Sequence, residues 1–176
     1  MLLDSLQGSL AEIYDSESEE ALWSIRGENA VYGYASQMIQ NAENEIYLVI
    51  GDVALGELRV DIQSSCDKGI HVGALLTGQG ELACDQVSYH PPQESEIQGL
   101  ADMLVVVVDG RECLIANIER EMTATVTTNR NLVLISHQFV WMELFAQRVY
   151  KHLDPAQIER LEQQDKQLLL SFSNNI

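Results

Sequence analysis

The sequence predicts an α/β protein built on a mixed sheet, a βαβ unit plus a hairpin, with helices on both faces. Three observations carry that expectation. Met103 to Val108 is an unbroken apolar run containing four valines, which reads as a strand covered on both faces. Asp109-Gly110 follows as a two-residue turn in which both positions tolerate positive φ, and Cys113 to Ile118 returns as a second strand. This makes a hairpin whose first strand belongs in the middle of the sheet. Finally, Ile46–Ile50, a helical stripe and Ile70–Leu76 fit within about 30 residues, the length of a βαβ unit with parallel strands and a right-handed crossover.

The other elements follow in order. Leu3, Leu6, Leu10 and Ile13 form a short a/d seam over residues 1–14. A stretch that short is marginal as a free helix, so it either packs on its own domain or ends a dimerising helix. Asp15 to Glu20 (DSESEE) is an acidic loop, and Ala21 to Arg26 alternates as a strand that Gly27 ends. Val31, Tyr34, Ala35, Met38, Ile39 and Ala42 then share one helical stripe. The stripe inside the βαβ unit is Leu55, Leu58, Ile62 and Cys66, closing at Lys68-Gly69 with a cation in the last turn and a glycine beyond it. Thr77 to Glu81 (TGQGE) is a glycine-containing loop, Ala83 to Tyr89 a short strand, and His90-Pro91-Pro92-Gln93 an extended segment. Thr123 to Thr128 (TATVTT) alternates and should pair near the hairpin. Leu132 to Leu153 is a long helix, after which Asp154-Pro155 restarts a final one, with Asp154 as N-cap.

A chain of 176 residues can bury a full core without staples. No stretch approaches the roughly 20 apolar residues of a membrane span, and the N-terminus lacks the basic start of a secretory signal, so a cytoplasmic protein is expected. The net charge of −17 repels phosphate backbones, so DNA is expected to be reached only through a separate domain. Cys66, Cys84 and Cys113 are odd in number and match no C-x2-C pattern. They point to small buried hydrophobes in a reducing compartment rather than to a disulfide or zinc site. His71, His90, His137 and His152 offer no i, i+4 pair on one helix, so neither metal nor cofactor is expected.

The segment Asp102 to Asn117 resembles the motif region of the phospholipase D fold, H-x-K-x4-D. The terminal Asp aligns with Asp109, the lysine position with Leu104 and the histidine position with Asp102. A carboxylate and an aliphatic chain cannot replace an imidazole nucleophile and a phosphate-binding cation. The resemblance therefore implies the fold without the reaction. In order and spacing, ALWSIRGENAV, MIQNAENEIYLVI, VSYHPPQES, VVVVDGRECLIA and TTNRNLVLISHQFVWMELF together resemble the C-terminal region of TrmB-like transcriptional regulators, across roughly residues 1–152. That resemblance implies a linker and dimerisation helix at 1–14, a phospholipase-D-like sensor domain at 15–153, and a C-terminal helix and tail at 154–176. No winged helix-turn-helix precedes Met1, so the chain is expected to be a piece of a longer regulator or a stand-alone sensory relative.

Candidate ligand contacts are polar residues at strand ends. Asp52 follows a parallel strand, where open sheets bind ligands, and is either a hydroxyl acceptor or a helix cap. His90, Gln93 and Glu94 sit on a proline-stiffened segment suited to recognition or simply to a surface turn. Asn117, Thr128, Asn129, Arg130 and Asn131 flank the hairpin and would line the cleft left by the lost chemistry, or merely cap the long helix. Phe139, Trp141, Phe145 and Val149 mark a core or interface face on that helix. Since enzymes of the phospholipase D fold pair two motif copies, one copy per chain implies a symmetric homodimer through Leu3, Leu6, Leu10, Ile13, Trp141 and Phe145. The leading expectation is a non-catalytic effector-sensing and dimerisation domain, with a sugar or sugar phosphate as effector. A protein-interaction module without ligand and a phosphodiesterase of the same fold are the alternatives.

Overall fold

The computed structural model describes residues 21–90, 99–100, 102–118, 121–154, 156–157 and 160. Its strands are β1 (Leu22–Arg26), β2 (Glu45–Ile50), β3 (His71–Leu76), β4 (Gln86–Tyr89), β5 (Met103–Val108), β6 (Glu112–Asn117) and β7 (Thr123–Thr127). Its helices are α1 (Glu28–Gln40), α2 (Asp52–Asp67) and α3 (Arg130–Tyr150). Among the described residues the strands form one seven-stranded sheet in the order β1-β7-β6-β5-β2-β3-β4. The valine-rich strand β5 takes the middle place, as its unbroken apolar run requires.

β2, β3 and β4 run parallel, and β5, β6, β7 and β1 are antiparallel to their neighbours. Because side chains alternate across a strand, the central strands feed two cores. On one face Ile46, Leu48, Ile50, Val72, Ala74, Leu76, Leu104, Val106 and Val108 meet the α1 and α2 stripe of Val31, Ala35, Met38, Ile39, Leu55, Leu58 and Ile62. On the other, Tyr47, Val49, Leu75, Val105, Val107 and Cys113 meet Val133, Val140 and Leu144 of α3. Gly73 permits that second contact: a Cβ there would lie 2.9 Å from both Leu144 Cδ1 and Tyr47 Cδ1.

The helix boundaries follow local chemistry. Asn129 caps α3, its side chain accepting from the Asn131 and Leu132 amides at 3.1 Å each. α2 ends at Lys68-Gly69, with Gly69 at φ 83. Asp154 accepts from the Ala156 amide at 2.9 Å, as an N-cap would.

Two expectations need correction. The hairpin turn holds three residues, since Val108 pairs with Glu112 and the Arg111 amide donates to the Val108 carbonyl at 2.9 Å. Asp109 and Gly110 nevertheless take the expected positive φ of 52 and 61. The larger correction concerns cysteine. Cys66 and Cys84 form a disulfide with Cα atoms 5.9 Å apart, and Cys113 alone is a buried free thiol. Spacing along the chain could not reveal this pair, because only the fold lays the β3–β4 connection against the last turn of α2.

Candidate functional site

The motif strand separates its own motif. Asp102 lies at one end of β5 and Asp109 at the other, about 20 Å apart at the rise of an extended strand. Asp109 is a clamp. One carboxylate oxygen accepts from the Asn44 and Glu45 amides at 2.7 and 3.0 Å, the other from the Glu43 amide at 3.0 Å and from Arg111 Nη2 at 2.8 Å. Burial alone would raise its pKa; the Glu43 and Glu45 amides, Arg111 and the Asn44 amide override that and hold it at about 2. The clamp fixes the α1–β2 turn to the hairpin. Leu104 is fully buried in the core beneath α1 and α2, so its position offers nothing to solvent. Asp102 is exposed, and its carbonyl accepts from the Ile118 amide at 2.8 Å.

The three parallel strands end together beside Asp102, and there Asp52, Thr77, His90 and Asn117 gather at one rim of the sheet. Asp52 does not cap α2. The N-cap of α2 is Gly51, with no side-chain cap, and the Asp52 carboxylate accepts from the Gln79 and Gly80 amides at 3.1 and 2.7 Å. Those amides lower its pKa. A Cβ on Gly78 would fall 2.2 Å from Asp52 Oδ1, so the glycines of the TGQGE loop allow the backbone to close around the carboxylate.

His90 is not on a surface turn. It is 2% exposed, and its backbone N–H donates to the Leu76 carbonyl at 2.9 Å, extending the β3–β4 ladder. Gln93 and Glu94 lie outside the described residues. Asn117 is exposed at the end of β6, paired with Met103 and Thr123. Thr77 was not singled out from sequence, yet its Oγ1 is buried here without a hydrogen-bond partner. A lone Thr directly after an apolar strand was the available signal.

Asn129 and Arg130 sit at the opposite rim. β6 and β7 pair Asn117 with Thr123 and Cys113 with Thr127, which puts Asn117 and Asn129 at different ends of the ladder. The cleft expected to unite them does not form, because a hairpin joins residues near in sequence but sends its two ends apart. A groove of about 470 Å³ does open at this second rim, lined by Tyr34, Gln37, Asn41, Asp109, Arg111 and Glu112 among others. The Tyr34 hydroxyl donates to Glu112 Oε1 at 2.7 Å; burial first, then this bond, push the phenol up to about 12.

Among the described residues, α3 carries an apolar face that nothing covers. Leu134, Ile135, Phe139, Trp141, Met142, Phe145 and Val149 are all exposed, and Trp141 stacks on Phe145 with ring centroids 5.3 Å apart. Single exposed apolar side chains are ordinary, but a contiguous set on one helix marks an interaction surface. Leu3, Leu6, Leu10 and Ile13 lie outside the described residues.

This frame has a family. The model of "Transcriptional regulator TrmB, EBD N-terminal subdomain" matches residues 21–147, nearly all of the described sheet and helices. The chain belongs to the TrmB family. Within that family, the match falls on the effector-binding part and agrees with the resemblance read from β1 through α3. TrmBL2, whose structure is described as that of an archaeal chromatin protein with a novel mode of DNA binding, is similar at 18% identity and a TM-score of 0.50. That likeness covers 81% of this chain and 59% of TrmBL2, so the TrmB-family chain described here spans about three fifths of its relative's length. Nuc from Salmonella typhimurium, a phospholipase D family member, is similar at 11% identity and a TM-score of 0.50, over 73% of this chain and 96% of Nuc. NucT from Helicobacter pylori is similar at 10% identity and 0.53, over 73% and 98%. At these identities the likeness concerns the fold alone: this TrmB-family domain has the phospholipase-D-like sheet. No curated protein matches the chain.

Proposed function

We propose that this chain is the non-catalytic effector-sensing and dimerisation domain of a TrmB-like transcriptional regulator, working in the cytoplasm. The observation that carries the reading is β5 itself. Where hydrolysis of a phosphodiester needs a nucleophilic imidazole and a cation, this strand has an exposed carboxylate at Asp102 and a core leucine at Leu104. The acidic balance of −17 supports a domain that leaves DNA contact to another part of the regulator.

The exposed face of α3 supports a homodimer, with the leucine seam at Leu3, Leu6, Leu10 and Ile13 as a second contribution. A small-molecule effector, a sugar or sugar phosphate, would act by favouring one placement of two subunits over another. The rim bearing Thr77, His90 and Asn117 is the place we assign to it, because an open sheet binds ligands beyond the ends of its parallel strands. The family match to an effector-binding subdomain supports an effector role for the domain.

Two measurements test this reading. Sedimentation of the wild type should give a dimer, and Trp141→Glu with Phe145→Glu should weaken it at least about tenfold, the scale on which central aromatic anchors act. A monomeric wild type, or a double variant that dimerises unchanged, counts against the α3 interface. A thermal-shift screen of neutral sugars and sugar phosphates should find a compound that raises the melting temperature, as any ligand of the native state must. A screen without any shift favours a ligand-free interaction module instead.

A further inference from the structure

We propose that the Cys66–Cys84 disulfide is a redox-responsive strap that sets the order of the β3–β4 connection and of edge strand β4. The connection, residues 77–85, lies lengthwise on α2 and is held by residues spaced along that helix. Asp52 receives the Gln79 and Gly80 amides, Arg59 donates to the Glu81 carbonyl, and Gln63 donates to the Ala83 carbonyl at 3.2 Å. The last of the series is Cys66, bonded to Cys84 across a sequence separation of 18 residues. Asp52, Arg59, Gln63 and Cys66 stand at successive intervals of seven, four and three, one stripe of α2.

The polar members of this stripe make hydrogen bonds at or near the surface, which contribute little individually. The covalent member differs in kind, and it sits two residues before β4 begins at Gln86. β4 has four residues and, among the described strands, pairs with β3 alone; Val87 packs on the first core and α3 lies against the strand, so Cys84 is the covalent hold where the chain enters it. Freeing Cys84 therefore loosens the connection, then β4, and with it the rim that carries Thr77 and His90. Cys66 and Cys84 are both half-buried, within reach of a reductant, whereas Cys113 is wholly buried in the second core.

The chemistry is a two-electron exchange with a dithiol reductant. A thiolate of the reductant attacks one sulfur of the Cys66–Cys84 bond and forms a mixed disulfide, while the other cysteine leaves as thiolate and takes a proton. The second thiol of the reductant then displaces the remaining cysteine and closes the reductant's own disulfide. Two electrons and two protons pass to the protein. This role rests on the cytoplasmic part of the proposed function: where thiols are kept reduced, a disulfide between accessible cysteines is characteristically a transient, redox-sensing bond.

The test is amide hydrogen exchange of the full chain, oxidised, treated with a phosphine or dithiol reductant, and returned to oxidised glutathione. No effector and no DNA enter it, so it stands apart from the tests of the sensor reading. On reduction, exchange within 77–89 should quicken at least about tenfold while β5 and α3 keep their protection, and reoxidation should reverse the change. Cys84→Ser should behave as the reduced protein under both conditions. The proposal is overturned if the oxidised protein retains three free thiols, if 77–89 exchange alike in both states, or if reduction quickens every element equally. The last outcome identifies a global staple.

Discussion

Asp109→Ala should lower the stability of the domain by about 3 kcal/mol at neutral pH, for two separable reasons. The change removes the acceptor for the three consecutive amides of residues 43–45 and for Arg111. It also places alanine at φ 52, a left-handed conformation that Asp tolerates better. Asp109→Asn keeps the conformational tolerance and one oxygen, and should cost about 1 kcal/mol, roughly one charge-assisted bond reduced to a neutral one.

The pH dependence checks the electrostatic share. The Asp109 side chain is 2% exposed and its pKa is lowered from 3.8 to about 2 in the folded protein. A depressed folded value means the contribution is fully present above the unfolded pKa, near 4, and is lost as pH falls through about 2. That difference corresponds to about 2 kcal/mol. Urea denaturation followed from neutral pH into this acid range should show the wild type losing that increment and Asp109→Asn losing much less. Parallel acid limbs for the two proteins would mean that the clamp acts through geometry alone.

The second large effect is expected at the position where the phospholipase D pattern has its cation. Leu104→Lys should cost more than about 4 kcal/mol and leave little folded protein, because it buries an ammonium with no partner and removes a packed side chain. Leu104 is 0% exposed and surrounded by the apolar stripe of α1 and α2. Leu104→Met, which conserves volume, should cost less than about 1.5 kcal/mol and serves as the control. Folding of Leu104→Lys with near wild-type stability in chemical denaturation would show that this side of β5 opens to water. The cation position of the motif would then be open to solvent, and the histidine position at Asp102 would be the remaining departure.

The same strand explains why much of the fold was legible in the sequence. Six consecutive apolar residues leave no polar face, so β5 had to lie mid-sheet, and its Asp109-Gly110 end had to turn. The stripe on α2 and its Lys68-Gly69 terminus were read in the same way, from period and capping chemistry. What could not be read was anything set by the meeting of distant segments. Asp52 carried the right residue type for a cap or a ligand contact, but its partners stand 27 and 28 residues away in a loop whose path depends on the sheet. His90 precedes two prolines and looked like a surface residue, yet it continues a parallel ladder into the interior. Cys66 and Cys84 were apolar by context and paired by topology. Asn117 and Asn129 looked like neighbours flanking one hairpin, and antiparallel pairing sent them to opposite rims.

Hydrolysis tells most directly whether this TrmB-family domain kept the phospholipase-D-like sheet without its reaction. Purified chain, incubated with a chromogenic phosphodiester, should release product at the rate of buffer alone, and His90→Ala and Asp102→Ala should leave that baseline unchanged. Turnover above the baseline that either substitution abolishes would contradict the account, because it would make one rim of the sheet a working active site.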